Sequence, residues 1–179
     1  MALRSFLGIF WVNAMDAIEC IQTRKSIRFY QATPLEEDLV IKILKTAIQA
    51  PSARNRQPWK FKIVFNKKTI EKFSDLSVQS KWIKTAPCMV IVFLDQSNSD
   101  DYVKDVQSCG AIMQNILLAA HAYGIASCWI GEFTSKQEDI FRLCAIPKDK
   151  LDFMGAITLG YPRLITGASG RKELETFLL

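Results

Sequence analysis

The segment from Asp105 to Tyr123 constrains the fold of this chain more than any other stretch. Its composition is helical, and Ala111, Ile112, Met113, Ile116, Leu117, Leu118, Ala119 and Ala120 leave only a thin polar edge. A surface helix carries one apolar stripe; a helix that is apolar nearly all round belongs at the centre of a core or against a second subunit. Gly124 then closes it, because glycine ends a helix without a Cβ clash. The run Cys88-Met-Val-Ile-Val-Phe-Leu94 makes a matching demand. It is apolar without alternation and of strand length, as expected of a strand covered on both faces. A chain of 179 residues, 49% of them hydrophobic, can supply that cover within one domain, and any apolar surplus suits a partner subunit.

The remaining elements follow from caps and periodicity. Asp16, with Glu19 three residues on, starts a helix over Ala17 to Thr23. Thr33-Pro34-Leu35-Glu36 reads as a second start signal, followed by an apolar stripe at Leu35, Leu39, Val40, Ile43, Leu44, Ala47 and Ile48 that Pro51 terminates. Phe61, Ile63 and Phe65 mark a strand, and Thr69 to about Leu76 a short helix before a polar connection. Ile125 to Gly131 reads as a strand, and Ser135-Lys-Gln-Glu138 as a capping box for a helix ending near Cys144. Met154 to Tyr161 completes the set as a final strand. Residues 1–14 read as an upstream start or an added extension and not as a targeting signal, so the domain is expected to span 15–179. No stretch is long enough to span a membrane.

Formal net charge is +5, which favours anionic ligands. Long Lys or Arg runs are lacking, so a phosphate-bearing small molecule fits better than a nucleic acid. The five cysteines are odd in number and form no CxxC pair, which argues against a disulfide framework or zinc site and for a reducing, cytoplasmic compartment. The one histidine, His121, reads as a packed or surface residue. Arg24-Lys25-Ser26-Ile27-Arg28 concentrates three cations and a hydroxyl. In an extended segment Arg24, Ser26 and Arg28 face one way, a grip suited to phosphate; the alternative is solvated charge near a helix end. Pro51 to Trp59 forms a loop between two prolines in which Ser52, Asn55 and Gln57 suit recognition of a polar ring edge; the alternative is a connection whose amides cap backbone groups.

Taken in order, Arg24–Arg28, Ala50–Trp59, Asn115–Ala120, Gly124–Gly131 and Leu159-Gly-Tyr-Pro162 resemble the FMN-dependent nitroreductase family over essentially Met15 to Leu179. The resemblance implies an α+β, three-layer α-β-α sandwich with a mostly antiparallel central sheet, forming an intertwined homodimer with FMN in two interface clefts. It implies that Arg24, Lys25, Ser26 and Arg28 grip the phosphate and ribityl chain. Pro51, Ser52, Asn55 and Gln57 would approach FMN, with Pro51 and Ser52 serving the partner's flavin. Cys128, Trp129, Ile130 and Gly131 would lie beside the isoalloxazine ring, and Arg171 on the phosphate. Two departures stand out: Ser169 replaces a second basic residue, and the stretch between the strands at Phe65 and Cys88 is shorter than the family's usual excursion.

With FMN bound, the implied reaction is ping-pong hydride transfer from NAD(P)H through the flavin to an electron-poor small molecule such as a nitroaromatic or quinone, without a protein nucleophile. A flavin store or sensor without turnover, and a specialised reductase or dehydrogenase of another conjugated substrate, are the rival readings. Cys128 reads as a packed thiol, having no resolving cysteine nearby in sequence.

Overall fold

The computed structural model describes residues 15–164 and 170–179; the expectations for residues 1–14 and for Ser169 fall outside them. Four strands, β1 (Trp59–Val64), β2 (Cys88–Asp95), β3 (Ala126–Ile130) and β4 (Leu151–Gly160), form one sheet in the order β1-β2-β4-β3, antiparallel throughout. Helices α2 (Glu37–Ala47) and α5 (Tyr102–Ala122) cover one face. Helices α3 (Lys67–Asp75), α4 (Ser80–Ile83) and α6 (Gln137–Cys144) cover the other. Helix α1 (Ala17–Thr23) lies against α5. This is the three-layer α-β-α sandwich anticipated above.

Strand β2 is the hub. Cys88, Val90, Val92 and Leu94 enter the core shared with α2 and α5, while Met89, Ile91 and Phe93 enter the core on the opposite face. Alternation of side chains across a pleat therefore buries every residue of the apolar run, and only Asp95 emerges. Phe93 packs at a tilt on Phe141 and edge-on against Phe153, at centroid distances of 5.2 and 6.3 Å. A side chain of this size, fully buried, contributes about 2–3 kcal/mol by removing its area from water. Gly160 allows the close crossing at one end of β4, where a Cβ would lie 2.6 Å from Pro87 Cδ.

Helix α5 runs for 21 residues across the sheet, starting at an Asp101 cap in the acidic turn, earlier than expected. One side is buried through Ile112, Met113, Ile116 and Leu117, but Val103 and Val106 leave part of its flank open. Gly124, at φ +72°, closes it as expected.

Two expected caps are corrected. Helix α2 starts after Glu36, not at Thr33: Leu35 drops into the core at 5% exposure and holds the chain extended past the proline. Helix α6 is preceded by a 3-10 turn at Glu132–Lys136, in which the Ser135 hydroxyl bonds the Glu132 carbonyl and Lys136 takes the cap position. Fully buried Phe133 anchors that turn. The expected polar connection after α3 likewise contains α4, whose Trp82 and Ile83 are buried. No helix among the described residues is long and apolar enough to cross a membrane.

Candidate functional site

The site is built where the chain leaves α1 and meets the free edge of the sheet. Arg24 caps α1 through its backbone N–H. Ser26 then forms a parallel bridge with Ser127 of β3, and Ile27 N–H donates to the Ser127 carbonyl at 3.0 Å. Buried Ile27 and Tyr30 act as the pegs of this segment. The Tyr30 hydroxyl donates to the Ile27 carbonyl at 2.8 Å and lies 2.7 Å from Thr158 Oγ1, which reaches the Cys128 carbonyl at 3.2 Å. Burial raises the Tyr30 pKa far above its usual value, so the phenol keeps its proton and serves as a fixed strut.

With Ile27 turned into the core, alternation along an extended segment would put Arg24, Ser26 and Arg28 on one side. All three stand near Cys128: burial pushes its thiol pKa up, while Arg28, Ser26 and Arg24 pull it down, leaving a net rise. Cys128 is therefore a protonated, packed thiol at neutral pH. Lys25 is half-buried. Among the described residues, none of Arg24, Lys25 and Arg28 has a carboxylate within ion-pairing distance. Closely spaced cations without acidic partners repel one another, and an anion between them relieves that repulsion.

Strand β3 supplies the floor. Among the named strands it pairs with β4 alone, and its outer edge meets the Ser26–Ile27 segment only at Ser127. Because the Ser127 carbonyl bonds outward to Ile27, the alternation of an antiparallel ladder turns the N–H of Trp129 toward the same outer edge. The Trp129 side chain is 40% exposed and leans over Gly155, where a Cβ would stand 2.8 Å from both its Nε1 and Met113 Sδ. Ile130 is buried, and Gly131 begins the following turn with its carbonyl accepting from Thr134.

The loop containing Pro51, Ser52, Asn55 and Gln57 is anchored elsewhere. Ser52 Oγ accepts from Gln57 N–H at 2.9 Å, and the Gln57 amide donates to Asn55 at 3.2 and 3.3 Å. The Ser52 hydroxyl and the Gln57 amide thus meet the loop's own backbone, at the Gln57 N–H and the Asn55 carbonyl. Arg54, Asn55 and Gln57 have φ of 53°, 56° and 53°, a conformation held by these internal bonds. The lock is Arg56, which sequence reasoning passed over: it pairs with Asp100 and, at 3.2 Å, with fully buried Asp105. Burial raises the Asp105 pKa, but Ser99 and Arg56 outweigh it and hold the carboxyl below its ordinary value. Asp105 and the α1 contact at Leu118 lie about 20 Å apart along α5 at 1.5 Å per residue. Within one chain, then, the amide loop and the cationic segment attach near opposite ends of that helix.

Arg171 precedes an exposed C-terminal turn at Leu174–Phe177, and no hydrogen bond or ion pair joins it to the other described residues. His121, expected to be a packed or surface residue, is half-exposed and sits 2.8 Å from Thr23 Oγ1, beside the segment.

A profile described as the nitroreductase family matches residues 21–81 and 75–161. The chain belongs to the nitroreductase family. A relative in Methanothermobacter thermautotrophicus, provisionally named an NADH dehydrogenase/NAD(P)H nitroreductase, is 40% identical over 153 residues, covering 84% of this chain and 80% of its own length. A protein of the same provisional name in Archaeoglobus fulgidus is 34% identical over 151 residues, covering 83% of this chain and 86% of its own length. A crystal structure of a provisionally named nitroreductase in complex with FMN, from Desulfovibrio desulfuricans, superposes with a TM-score of 0.85. It is 32% identical, with 90% of this chain and 94% of that one covered. The nitroreductase fold thus accounts for nearly the whole described chain.

Proposed function

We propose that this nitroreductase-family protein is an FMN-dependent oxidoreductase that draws reducing equivalents from NAD(P)H and delivers them to an electron-poor small molecule such as a nitroaromatic or quinone. The observation that carries the reading is the set of acid-free donors Arg24, Ser26 and Arg28 at the outer edge of β3. The donor set fits FMN: guanidinium forks and a hydroxyl match a phosphate, and the Trp129 N–H on the adjacent edge matches an acceptor on a polar ring. FMN bound there would supply the hydride chemistry in two half-reactions, first with NAD(P)H and then with the acceptor.

The protein's own part is positioning. Arg24, Lys25, Ser26 and Arg28 hold the phosphate end, while Cys128, Trp129, Ile130 and Gly131 line the ring, with the Cys128 thiol kept protonated by burial. Arg171 reaches the phosphate from the C-terminal segment. Pro51, Ser52, Asn55 and Gln57, anchored at the far end of α5, form the loop that approaches FMN, with Pro51 and Ser52 serving the cleft of a second copy. The open flank of α5 and the exposed Leu174, Phe177 and Leu178 suit cover by that copy in a homodimer. The five free, buried cysteines suit a reducing, cytoplasmic compartment.

The test is a visible absorbance spectrum of the purified protein before and after anaerobic NADPH, then NADH. Flavin bands that bleach are expected. Bands that persist with both donors would leave a flavin carrier, and a protein that stays colourless after added FMN would overturn the cofactor assignment. A monomer that binds flavin tightly in solution would overturn the interface assignment.

A further inference from the structure

Helix α1 has seven residues, too few to hold their shape alone in water, and Cys20 is its buried residue. Two contacts seat it on α5. The Cys20 thiol donates to the Leu118 carbonyl at 3.4 Å, and one turn further along both helices Thr23 Oγ1 lies 2.8 Å from His121 Nε2. Thr23's other bond fixes the proton in that second contact. A hydroxyl has one proton, and Thr23 gives its own to the Glu19 carbonyl at 2.6 Å. Thr23 Oγ1 is therefore the acceptor, and His121 presents Nε2–H to it. Burial, then the charge of Arg24, lowers the His121 pKa against an opposing effect of Glu19, so a neutral Nε2–H imidazole fills this role.

The next residue is Arg24, whose N–H closes the helix on the Cys20 carbonyl at 3.1 Å. Ser26 and Ile27 are held separately by β3. Of the three donors that alternation groups, Arg24 alone depends on how α1 is seated.

We infer that His121 is a positioning residue: through Thr23 it fixes the last turn of α1 and so aims Arg24 at the phosphate held between Arg24, Ser26 and Arg28. The inference rests on the flavin reading above for the identity of that phosphate.

FMN is titrated into the flavin-free protein and its His121→Ala, His121→Gln, Thr23→Val, Arg24→Ala and His121→Ala/Arg24→Ala variants. Hydrogen exchange over residues 17–24 is followed in parallel. Loss of one hydrogen bond's worth of alignment predicts about fivefold weaker FMN binding for His121→Ala and Thr23→Val. His121→Gln, whose amide can donate to the same hydroxyl, recovers most of that affinity. The double variant binds no more weakly than Arg24→Ala, because His121 acts through Arg24. Wild-type affinity in His121→Ala, a full additive loss in the double variant, or a Gln variant as weak as Ala would each overturn the inference. A wild-type protein that takes up no FMN would defeat the flavin reading and the inference with it. Faster exchange in α1 of His121→Ala would then mark the contact as purely structural.

Discussion

Arginines near the two ends of α5 are held in opposite ways. Near its N-terminus Arg54 and Arg56 are paired with Asp100 and Asp105, and their charge is consumed in holding a loop. Near its C-terminus Arg24 and Arg28 stand with Lys25 and Ser26, without an acidic partner among the described residues. Residue type does not separate these groups; partnership does. A cation neutralised within its own chain builds structure, and one left unpaired beside others of its sign is available to a ligand.

Substitutions at both ends break or sharpen that contrast. The largest effect is expected from Asp105→Asn, which strips the buried partner from Arg56. Breaking such a pair costs about 3 kcal/mol, read as a lower Tm, and FMN affinity of the folded fraction should hold. Acid titration adds a signature. The folded pKa of Asp105 is depressed, so its stabilisation is complete above the ordinary carboxylate value of 3.8 and is lost as pH falls from there through the folded pKa. Denaturation curves of Asp105→Asn should lack that share of the acid loss.

Arg24→Ala is the converse. It should weaken FMN binding by about 1.5–3 kcal/mol, roughly tenfold to a hundredfold, with little change in Tm. An unchanged FMN titration would remove Arg24 from the grip. Tyr30→Phe tests the frame behind the cations: losing the hydroxyl that meets Ile27 and Thr158 should cost about 1–2 kcal/mol in chemical denaturation. The smallest change is expected at Arg54→Ala. That side chain is 82% exposed, so its pair with Asp100 is worth within about 0.5 kcal/mol, and a larger drop would mean that pairing alone does not rank these arginines.

Local physics made much of the fold readable in the sequence. Asp16 does cap α1, accepting from the N–H of Ile18 and Glu19, and the apolar run at Cys88 does become the doubly covered strand. The caps expected at Thr33 and Ser135 failed because buried Leu35 and Phe133 nearby set the path of the chain, overriding local capping chemistry. At the site, alternation groups Arg24, Ser26 and Arg28 on one side of an extended segment. What it could not supply was partnership: Arg56 meets Asp105 across 49 positions, and Thr23 meets His121 across 98. Both pairings depend on how α5 is placed, and no spacing rule reaches that far.

The central place of β2 also shapes the chain's history during synthesis. Its partner β1 is made first, but β4, which covers its other edge, begins only at Leu151. At typical translation rates the seven apolar residues from Cys88 to Leu94 wait on the order of several seconds with one edge unpaired. A run this rich in β-branched and aromatic side chains, free of charge and proline, is the kind of segment that pairs with copies of itself. Nascent chains of this protein should therefore be most prone to aggregate in that interval, and slowing translation between Asp95 and Leu151 should lower the soluble yield.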